Sequence, residues 1–417
     1  MPFKRKPMID LTWKDLACLL EEHDGAIFIA HINRFRENVH ALKAAFKKHY
    51  PHLGIGYSYK TNHLPKLCTV AHEEGLYAEV VSGTELDIAQ TIGVPGNRVI
   101  FNGPTKSTDE LKSAFTKGAL VNIDSLSEAH QIANIASKHS GTIRLGLRCN
   151  LDLKWKDHQS RFGLSEKSGE LDKAWCLLSA HKNVRIEGLH CHTSFDRSAE
   201  SYSRRIIRLI EIADRLFGTD GPQFLDIGGG LTGPMSDDLR KQFTALPATF
   251  DEYAAAICHP LLQRYGRNGP ELILEPGVGL VGNVFDYAFR VEHLKQVDTK
   301  WFAMTSGAAH HLKIVPNNFN IPLRLLQHPA LATSERQGDS IDIAGFTCLE
   351  HDLIYRNYEN PLLTGDILIA ENVGAYSMVS SPDFIRTNPP VYERTDAGWV
   401  SLRLKKSLVS YLKEFNW

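Results

Sequence analysis

The sequence has no excess charge of either sign, no paired cysteines and no long apolar run. Its 47 Lys and Arg residues nearly balance 48 Asp and Glu residues, so neither nucleic acid nor an anionic membrane is expected as the main partner. The seven cysteines include no CxxC pair, which argues against a disulfide framework and a thiolate metal site. We therefore predict a cytoplasmic protein that acts on small molecules, with no membrane segment and no bound metal.

What the sequence does contain is an alternation of short β-rich runs and amphipathic helical stretches. The first four runs of the series start at residues 55, 77, 99 and 120, spacings that suit a strand, a three-turn helix and two short loops. Such returns through helices require parallel strands, and eight strand candidates match a (β/α)8 barrel of about 250 residues. The candidates are 55–60, 77–82, 99–103, 120–124, 143–150, 186–192, 224–227 and 271–275.

An open doubly wound sheet is the competing architecture, and the polar residues favour the barrel. They stand at or just past the carboxyl ends of the strand candidates, the rim where barrels place their chemistry. Asn102 and Asp124 are interpreted only as the point where polar residues resume. This set comprises Lys60, Ser82, Asn102, Asp124, Arg148, His192, Gly228 to Gly230, and Glu275.

Beyond residue 283 the pattern changes to longer alternating runs without helices of matching length, which predicts an antiparallel β domain. An early strand at 26–30 precedes the even series and is expected to pair with this late domain. We therefore predict a barrel over 32–283 and a β-rich domain over 284–417 together with 1–31.

Two features of the rim remain ambiguous when they are taken singly. Gly228 to Gly233 formally matches GxGxxG, but Pro234 follows at once, so a phosphate-binding nest or a plain glycine turn is expected rather than a dinucleotide site. Lys60 directly follows an apolar strand. It is either an ordinary strand-capping lysine or an amine whose lowered pKa suits Schiff-base chemistry.

An ordered set of segments across about residues 26–405 resembles the fold-type III, pyridoxal-phosphate-dependent decarboxylases, the family of the diaminopimelate, ornithine and arginine decarboxylases. This resemblance implies an alanine racemase-like (β/α)8 barrel with a C-terminal β domain. The segments are YSYKTN (57–62), EVVSGTEL (79–86), GLHCH (188–192), LDIGGG (225–230), EPG (275–277), GFTC (345–348) with Asp352, and GAY (374–376).

The resemblance implies pyridoxal 5'-phosphate as cofactor and decarboxylation through a Schiff base on Lys60 and a quinonoid intermediate. Glu275 would keep the pyridine nitrogen protonated, and His192 would stack on the ring. Cys348 would come from the other subunit of a homodimer with shared active sites and protonate the substrate carbon. Glu79 and Arg148 would lie near the cofactor, and Gly228, Gly229, Gly230, Gly277 and Tyr376 would hold its phosphate.

Three departures from the family pattern bear on the substrate. Val278 stands where an Arg usually follows EPG, Ser194 is one position out of register with the phosphate-binding serine, and Leu349 replaces the acid after the Cys. A buried polar substrate end without a partner would cost about 1–3 kcal/mol. We therefore expect a modified or conjugated amino acid, as in branches that serve siderophore or antibiotic biosynthesis. The residues expected near the substrate are Cys348, Glu350, Asp352 and Arg324.

Three other functions compete with this interpretation. Diaminopimelate decarboxylase itself is one, and an amino-acid racemase of the same fold is another. Racemases of this fold are expected to place Arg on the pyridine nitrogen, so Glu275 favours decarboxylation. A non-catalytic regulatory paralogue is the third, and the presence of Lys60, His192, Glu275 and Cys348 argues against it.

Overall fold

The computed structural model describes residues 11–151, 160–194, 196–243, 246–312, 319–331 and 340–416. The described strands are β1 (Ala26–Ala30), β2 (Leu53–Ser58), β3 (Tyr77–Val80), β4 (Val99–Phe101), β5 (Leu120–Ile123), β6 (Ile143–Asn150), β7 (Leu164–Ser165), β8 (Val184–His190), β9 (Phe224–Asp226), β10 (Glu271–Leu274), β11 (Phe285–Val297), β12 (Lys300–Thr305), β13 (Leu323–Leu326), β14 (Ile341–Ala344), β15 (Leu353–Tyr358), β16 (Ile367–Ala370), β17 (Val391–Thr395) and β18 (Gly398–Arg403).

The described α-helices are α1 (Trp13–Glu22), α2 (Ile32–Lys47), α3 (Pro65–Glu73), α4 (Gly83–Thr91), α5 (Thr108–Thr116), α6 (Leu126–Ala136), α7 (Glu170–Ser179), α8 (Ala199–Phe217), α9 (Asp237–Arg240), α10 (Phe250–Tyr265), α11 (Val278–Val281), α12 (Ser377–Ser380) and α13 (Leu408–Leu412). A short 3-10 turn, Tyr59–Thr61, follows β2. Among the described residues, no helix is long and apolar enough to cross a bilayer.

The chain divides into two compact units. One comprises residues 36–234 and 245–280, and the other comprises 1–35, 235–244 and 281–417. The boundaries expected from the sequence, at 31/32 and 283/284, stay a prediction.

Eight parallel strands of the first unit close into a barrel. Going around it, β2, β3, β4, β5, β6, β8, β9 and β10 are neighbours, and the β10 to β2 pairing completes the ring. The β5 to β6 pairing, with Leu120 opposite Arg144, excludes an open sheet whose edge would lie there. Inside, Ile100, Leu120, Phe224 and Ile273 form a buried apolar cluster. The predicted barrel class is confirmed.

Serine residues set where several barrel helices begin. The side chains of Ser82, Ser107 and Ser125 each accept a hydrogen bond from the backbone N–H three residues later, at 3.2 Å. Each serine stands shortly after a strand, so the cap satisfies a helix-end amide at the point where the chain turns back along the barrel. These caps end the loops that carry the polar rim.

The second unit is built on a nine-stranded sheet whose central strand, β11, pairs antiparallel with β1, β12 and β16. The early strand therefore joins the late domain, as the sequence predicted. Two pairings, β1 with β17 and β12 with β14, are parallel, so the sheet is mixed. Helix α1 packs Leu16 and Leu20 against Ile27 and Ile367 in a buried core.

Candidate active site

The polar side chains at the carboxyl ends of the barrel strands form one connected group. Parallel strands that close into a ring bring their carboxyl ends to the same rim, so residues far apart in sequence meet there. The members of this group that we describe below are Lys60, Glu79, Asn102, Asp124, Arg148, His190, His192, Asp226 and Glu275.

Lys60 lies in the 3-10 turn that directly follows β2, and Glu79 lies near the end of β3. The Lys60 Nζ is 2.9 Å from Glu79 Oε2 and 3.2 Å from Oε1, and the lysine side chain keeps 35% of its exposure while Glu79 is buried. Ser58 also donates a hydrogen bond to Glu79. The amine is thus held at a fixed place yet remains accessible to a ligand.

Asn102 connects this ion pair to the other side of the rim. Its Nδ2 donates to Glu79 Oε1 at 2.9 Å and to Glu275 Oε1 at 2.6 Å, and its Oδ1 accepts from Asn122 Nδ2 at 2.8 Å. All four side chains are buried. Because two carboxylates share one amide donor, their separation and orientation are both set by Asn102.

Glu275, His190 and Asp226 form a buried triad in which one atom of each lies within 4.8 Å of the others. His190 Nε2 is 3.2 Å from Glu275 Oε2. Burial alone would raise the pKa of Glu275, but the attraction and hydrogen bond of His190, with Lys60 nearby, hold it below its usual range. Glu275 is therefore ionised.

Asp226 has the opposite protonation state. Burial, followed by repulsion from Glu275, raises the pKa of Asp226 well above its usual range, so this carboxyl is protonated and can donate to Glu275. Its Oδ1 accepts from the Gly228 N–H at 2.9 Å. This triad is the one set among the described residues that could hold a metal ion, but a neutral Asp226 offers a cation little charge.

His192 is a neutral ring with a defined tautomer. Burial, and then the positive charges of Lys60 and Arg148, lower its pKa well below the usual range. The Gly229 N–H donates to His192 Nδ1 at 3.1 Å, so the ring proton lies on Nε2, 3.4 Å from the Ser194 hydroxyl. Ser194 therefore touches the ring that the sequence predicted to stack on the cofactor.

The turn at Gly228 to Gly230 needs glycine for two reasons. Gly228 and Gly230 have φ values of +72° and +93°, which side chains rarely adopt. At Gly229 a Cβ would lie 2.3 Å from the Glu275 carbonyl oxygen. Two amides of the turn donate hydrogen bonds, one to Asp226 and one to His192. The turn therefore fixes the positions of these two side chains.

Arg148 is almost fully buried at the end of β6 and pairs with a residue that the sequence analysis set aside. Its Nη1 lies 2.6 Å from Asp124 Oδ1, and its Nη2 lies 3.5 Å from the His192 carbonyl. Gly277 lies where a Cβ would meet Thr61 Oγ1 at 1.9 Å, in the turn of Lys60. Arg148 is therefore held in place by Asp124, and the absence of a side chain at Gly277 lets its backbone lie against the turn that carries Lys60.

Glu85, in the EVVSGTEL segment, is a further titratable group beside this network. Burial raises its pKa to about 7, although the Val81 N–H donates to its Oε2 at 2.8 Å. Glu79 adds repulsion and Lys60 adds attraction. Its charge therefore changes within the physiological range.

Cys348 lies on an exposed loop of the second unit, and Asp352 holds that loop in shape. The Asp352 carboxylate accepts from the Ala309 N–H at 2.7 Å, the Thr347 N–H at 3.0 Å and the Thr347 hydroxyl at 2.6 Å. None of the seven cysteines, all of them described, forms a disulfide. The loop that carries Cys348 is thus held in place by hydrogen bonds made within the second unit.

The remaining predicted site residues also lie in the second unit. Tyr376 precedes α12 with φ at +65°, and Glu350 is exposed next to the Cys348 loop. Arg324, on β13, lies 3.7 Å from Glu371 and donates to the Leu11 carbonyl at 3.4 Å. The barrel group and these residues are therefore two sets, one in each unit.

Sequence reasoning gave no function to four members of the rim: Asn102 and Asp124, which were read only as polar strand ends, and His190 and Asp226, which were quoted only within motifs. A signal was present, because each stands at a strand's carboxyl end, where the other rim residues were found. What the sequence could not supply was their partners, since Asn102 and Glu275 come together only when the barrel closes.

This chain belongs to the pyridoxal-dependent decarboxylase family, whose pyridoxal-binding domain model matches residues 36–282. The predicted class, a pyridoxal-dependent amino-acid carboxy-lyase, is confirmed. The chain is 26% identical over 385 residues to the diaminopimelate decarboxylase of Methanothermobacter thermautotrophicus, covering 89% of this chain and 86% of that protein. It is 27% identical over 383 residues to that of Aquifex aeolicus, covering 89% and 87%.

Solved structures of related enzymes share this fold. The crystal structure of diaminopimelate decarboxylase from M. jannaschii superposes with a TM-score of 0.85 at 23% identity, covering 96% of this chain and 94% of that one. The lysine/ornithine decarboxylase of Vibrio vulnificus superposes with a TM-score of 0.73 at 19% identity, covering 91% and 97%. At these identities the superpositions show the fold alone.

The rim residues fit a pyridoxal cofactor in their chemistry. An aldehyde needs a primary amine, which Lys60 supplies, and a pyridinium N–H needs a buried carboxylate, which Glu275 supplies. The ring needs a flat neutral neighbour, and His192 is one. At Gly229 an added Cβ would fill the rim beside these groups.

Proposed function

We propose that the chain decarboxylates an amino acid with a modified or conjugated side chain, using pyridoxal 5'-phosphate bound to Lys60. The observation that carries this proposal is the ionised, buried Glu275 joined to Lys60 through Asn102 and Glu79. A carboxylate kept charged in a buried site is what a protonated pyridine nitrogen requires.

The cofactor, when bound, supplies a protonated ring that takes up the electron pair left when carbon dioxide departs from the substrate. Glu275 holds a proton at the pyridine nitrogen, and His190 and Asp226 keep Glu275 charged. Lys60 would hold the cofactor's aldehyde carbon through Nζ, and Glu79, 2.9 Å from that nitrogen, would accept a hydrogen bond from the Lys60 amine and keep it in place. His192, whose ring is oriented by the hydrogen bond from the Gly229 N–H to Nδ1, would pack on the face of the cofactor ring.

The cofactor phosphate and the proton donor complete the proposed site. Gly228 to Gly230, Gly277, Ser194 and Tyr376 would hold the phosphate, and Arg148 would lie near it. Cys348, on its exposed loop, would deliver a proton from Sγ to the carbon that lost carbon dioxide. We propose that this loop serves the partner subunit of a homodimer, so that each complete site needs two chains.

The substrate proposal depends on what the chain lacks at the substrate's distal end. Val278 offers no charge, and Leu349 offers no acid to an ammonium group, while Glu350 is exposed one position later. Diaminopimelate is the second candidate, because the relatives reported above are diaminopimelate decarboxylases. Seven unpaired cysteines support a reducing location, and we propose the cytoplasm.

Spectroscopy and gas release test these proposals separately. The protein reconstituted with pyridoxal 5'-phosphate should show a visible absorption band that is lost in Lys60→Ala; a colourless wild-type protein would instead indicate the regulatory paralogue. The holoenzyme is then incubated with free meso-diaminopimelate, ornithine, lysine and arginine. Rapid carbon dioxide release from any of them would overturn the modified substrate, and release from diaminopimelate would establish the second candidate.

A further inference from the structure

A cavity of about 280 Å³ opens at the end of the barrel opposite the rim. The first residues of β2, β3 and β10 line it, and the same strands lead to Lys60, Glu79 and Glu275 at their carboxyl ends. Every lining residue belongs to the first unit. The volume has room for a small molecule and not only for a single water. The ionisable side chains that line it are Lys43, Lys47, Glu74, Tyr77, Arg98 and Glu271.

Three of these side chains are cations without a carboxylate partner. Lys43 and Lys47 are four positions apart on α2 and share one face of that helix, and Arg98 ends the short 3-10 turn before β4. Lys43 Nζ donates to the Glu74 carbonyl, and Arg98 Nη2 donates to the Gly75 carbonyl. Within the described part of the chain, none of the three cations forms an ion pair. Their charges are therefore available to a ligand.

The three charges act on one another. Burial lowers the pKa of Lys43, the Glu74 carboxylate opposes that shift, and Lys47 and Arg98 add to it by repulsion. Lys43 therefore lies in the field of two further cations. An anion bound among them would relieve this repulsion.

The two acids of the cavity do not balance these cations. Glu74 Oε1 accepts from Arg36 Nη1 at 2.6 Å, and its Oε2 lies 2.7 Å from His40 Nε2, so its charge is shared with two other partners. The Tyr77 hydroxyl donates to Glu271 Oε1 at 3.2 Å, and burial raises the pKa of Glu271, which weakens its negative charge. The cavity therefore favours an anionic ligand.

We propose that this cavity binds a small molecule through a phosphate group held by Lys43, Lys47 and Arg98. A phosphate dianion places two charges and several acceptor oxygens on one atom, so three donors can reach it together, and the forked guanidinium suits two of those oxygens. A single carboxylate has one charge and two oxygens, and it would leave one cation without a partner. The site is separate from the rim and needs no particular reaction there.

Calorimetric titration of the holoenzyme, cleared of excess cofactor, tests the site at low ionic strength. The probes are inorganic phosphate, glycerol 3-phosphate and malonate, a dianion whose charges lie on two separate groups. We expect one saturable phosphate site per chain and weaker binding of malonate. Tighter binding of glycerol 3-phosphate would identify a phosphate monoester as the ligand, and tighter binding of inorganic phosphate would identify the free ion. No saturation by either phosphate compound up to about 10 mM, or malonate that binds at least as tightly, would overturn the proposal.

Variants locate the bound anion. Lys47→Gln should weaken phosphate binding about three- to five-fold, the effect of one exposed ion pair. The same change combined with Arg98→Gln should weaken it about ten-fold or more. Lys48→Gln removes the adjacent lysine, which pairs with Asp251 and does not line the cavity, and should leave the affinity unchanged.

Equal losses in Lys47→Gln and Lys48→Gln would show a diffuse effect of surface charge and contradict the site, as would an unchanged affinity in the double variant. Lys47 is exposed, so its single variant remains informative even where the loss of the contact between Arg98 and Gly75 prevents folding. Hydrogen exchange gives a second measurement. Phosphate should slow exchange at the end of α2 and in the turn of Arg98, and uniform or absent protection would also contradict the site.

Discussion

His190 Nε2 lies 3.2 Å from Glu275 Oε2, in a part of the barrel rim that water does not reach. A carboxylate at such a depth would normally take up a proton, because burial disfavours charge. The contact with His190, and the neutral Asp226 beside it, reverse that tendency. The charge on Glu275 therefore depends on residues at the carboxyl ends of three neighbouring strands, β8, β9 and β10.

Replacing Glu275 by Gln should remove the negative charge at the pyridine nitrogen. We expect kcat to fall by a factor of about 10²–10³, the usual consequence of losing one buried electrostatic contact to the reacting system. Glu271→Gln, at the opposite end of β10, is the matched control and should keep most of the activity. Steady-state carbon dioxide release measures both. Equal rates for the two variants would contradict the role of Glu275.

His190→Asn should change the pH dependence of the enzyme more than its maximal rate. Without His190 the burial effect dominates, so the pKa of Glu275 rises and the carboxylate is lost at a higher pH than in the wild type. The acidic limb of the kcat profile should therefore move to higher pH. A uniform loss of activity at every pH would indicate a merely structural histidine.

Glu85 should make the protein less stable as pH rises from acid toward neutrality. Its pKa in the folded chain, about 7, lies above the unfolded value of 4.5, so the folded state binds the proton more tightly. Stability is then lost between about pH 4.5 and pH 7. Glu85→Gln keeps the acceptor for Val81 and should gain about 2–3 kcal/mol relative to the wild type between pH 5 and pH 7.5, by urea unfolding. A constant difference would refute the shift.

Gly229→Ala should damage the rim through backbone contact alone. The added Cβ would lie 2.3 Å from the Glu275 carbonyl oxygen, so the turn and the strand end must separate. We expect cofactor affinity, measured by fluorescence titration, to fall at least about ten-fold. Gly141→Ala, where the Cβ would meet only the flexible end of His139, should bind the cofactor normally. Unchanged affinity in Gly229→Ala would argue against the cradle.

Mixing two inactive variants tests the shared site. Lys60→Ala lacks the cofactor amine, and Cys348→Ser lacks the proton donor on the loop of the second unit. If each site takes Lys60 from one chain and Cys348 from the other, half of the dimers in an equal mixture are hybrids with one intact site. Activity should then recover to about one quarter of the wild type. Mixtures that stay inactive would place both residues in one chain's site.

The fold class and many of the residues at the barrel rim could be predicted from the sequence alone. Strand starts about 22 residues apart predicted parallel strands with helical returns, and the polar residues at their ends predicted the active rim. The motif around Lys60 and the EPG segment at Glu275 predicted a pyridoxal-dependent decarboxylase. These features can be predicted from the sequence because periodicity and the residues at strand ends depend only on short stretches of consecutive residues.

Only the tertiary structure decided which polar groups act together. Asn102 and Glu275 are separated by 173 positions, and closing the barrel brings their side chains to 2.6 Å. The protonation of Asp226 and the charge of Glu275 depend on burial and on each other, and neither quantity exists in an extended chain. The sequence determined which residues reach the rim, and folding determined their charges, because electrostatic energies depend on distance and on the exclusion of water.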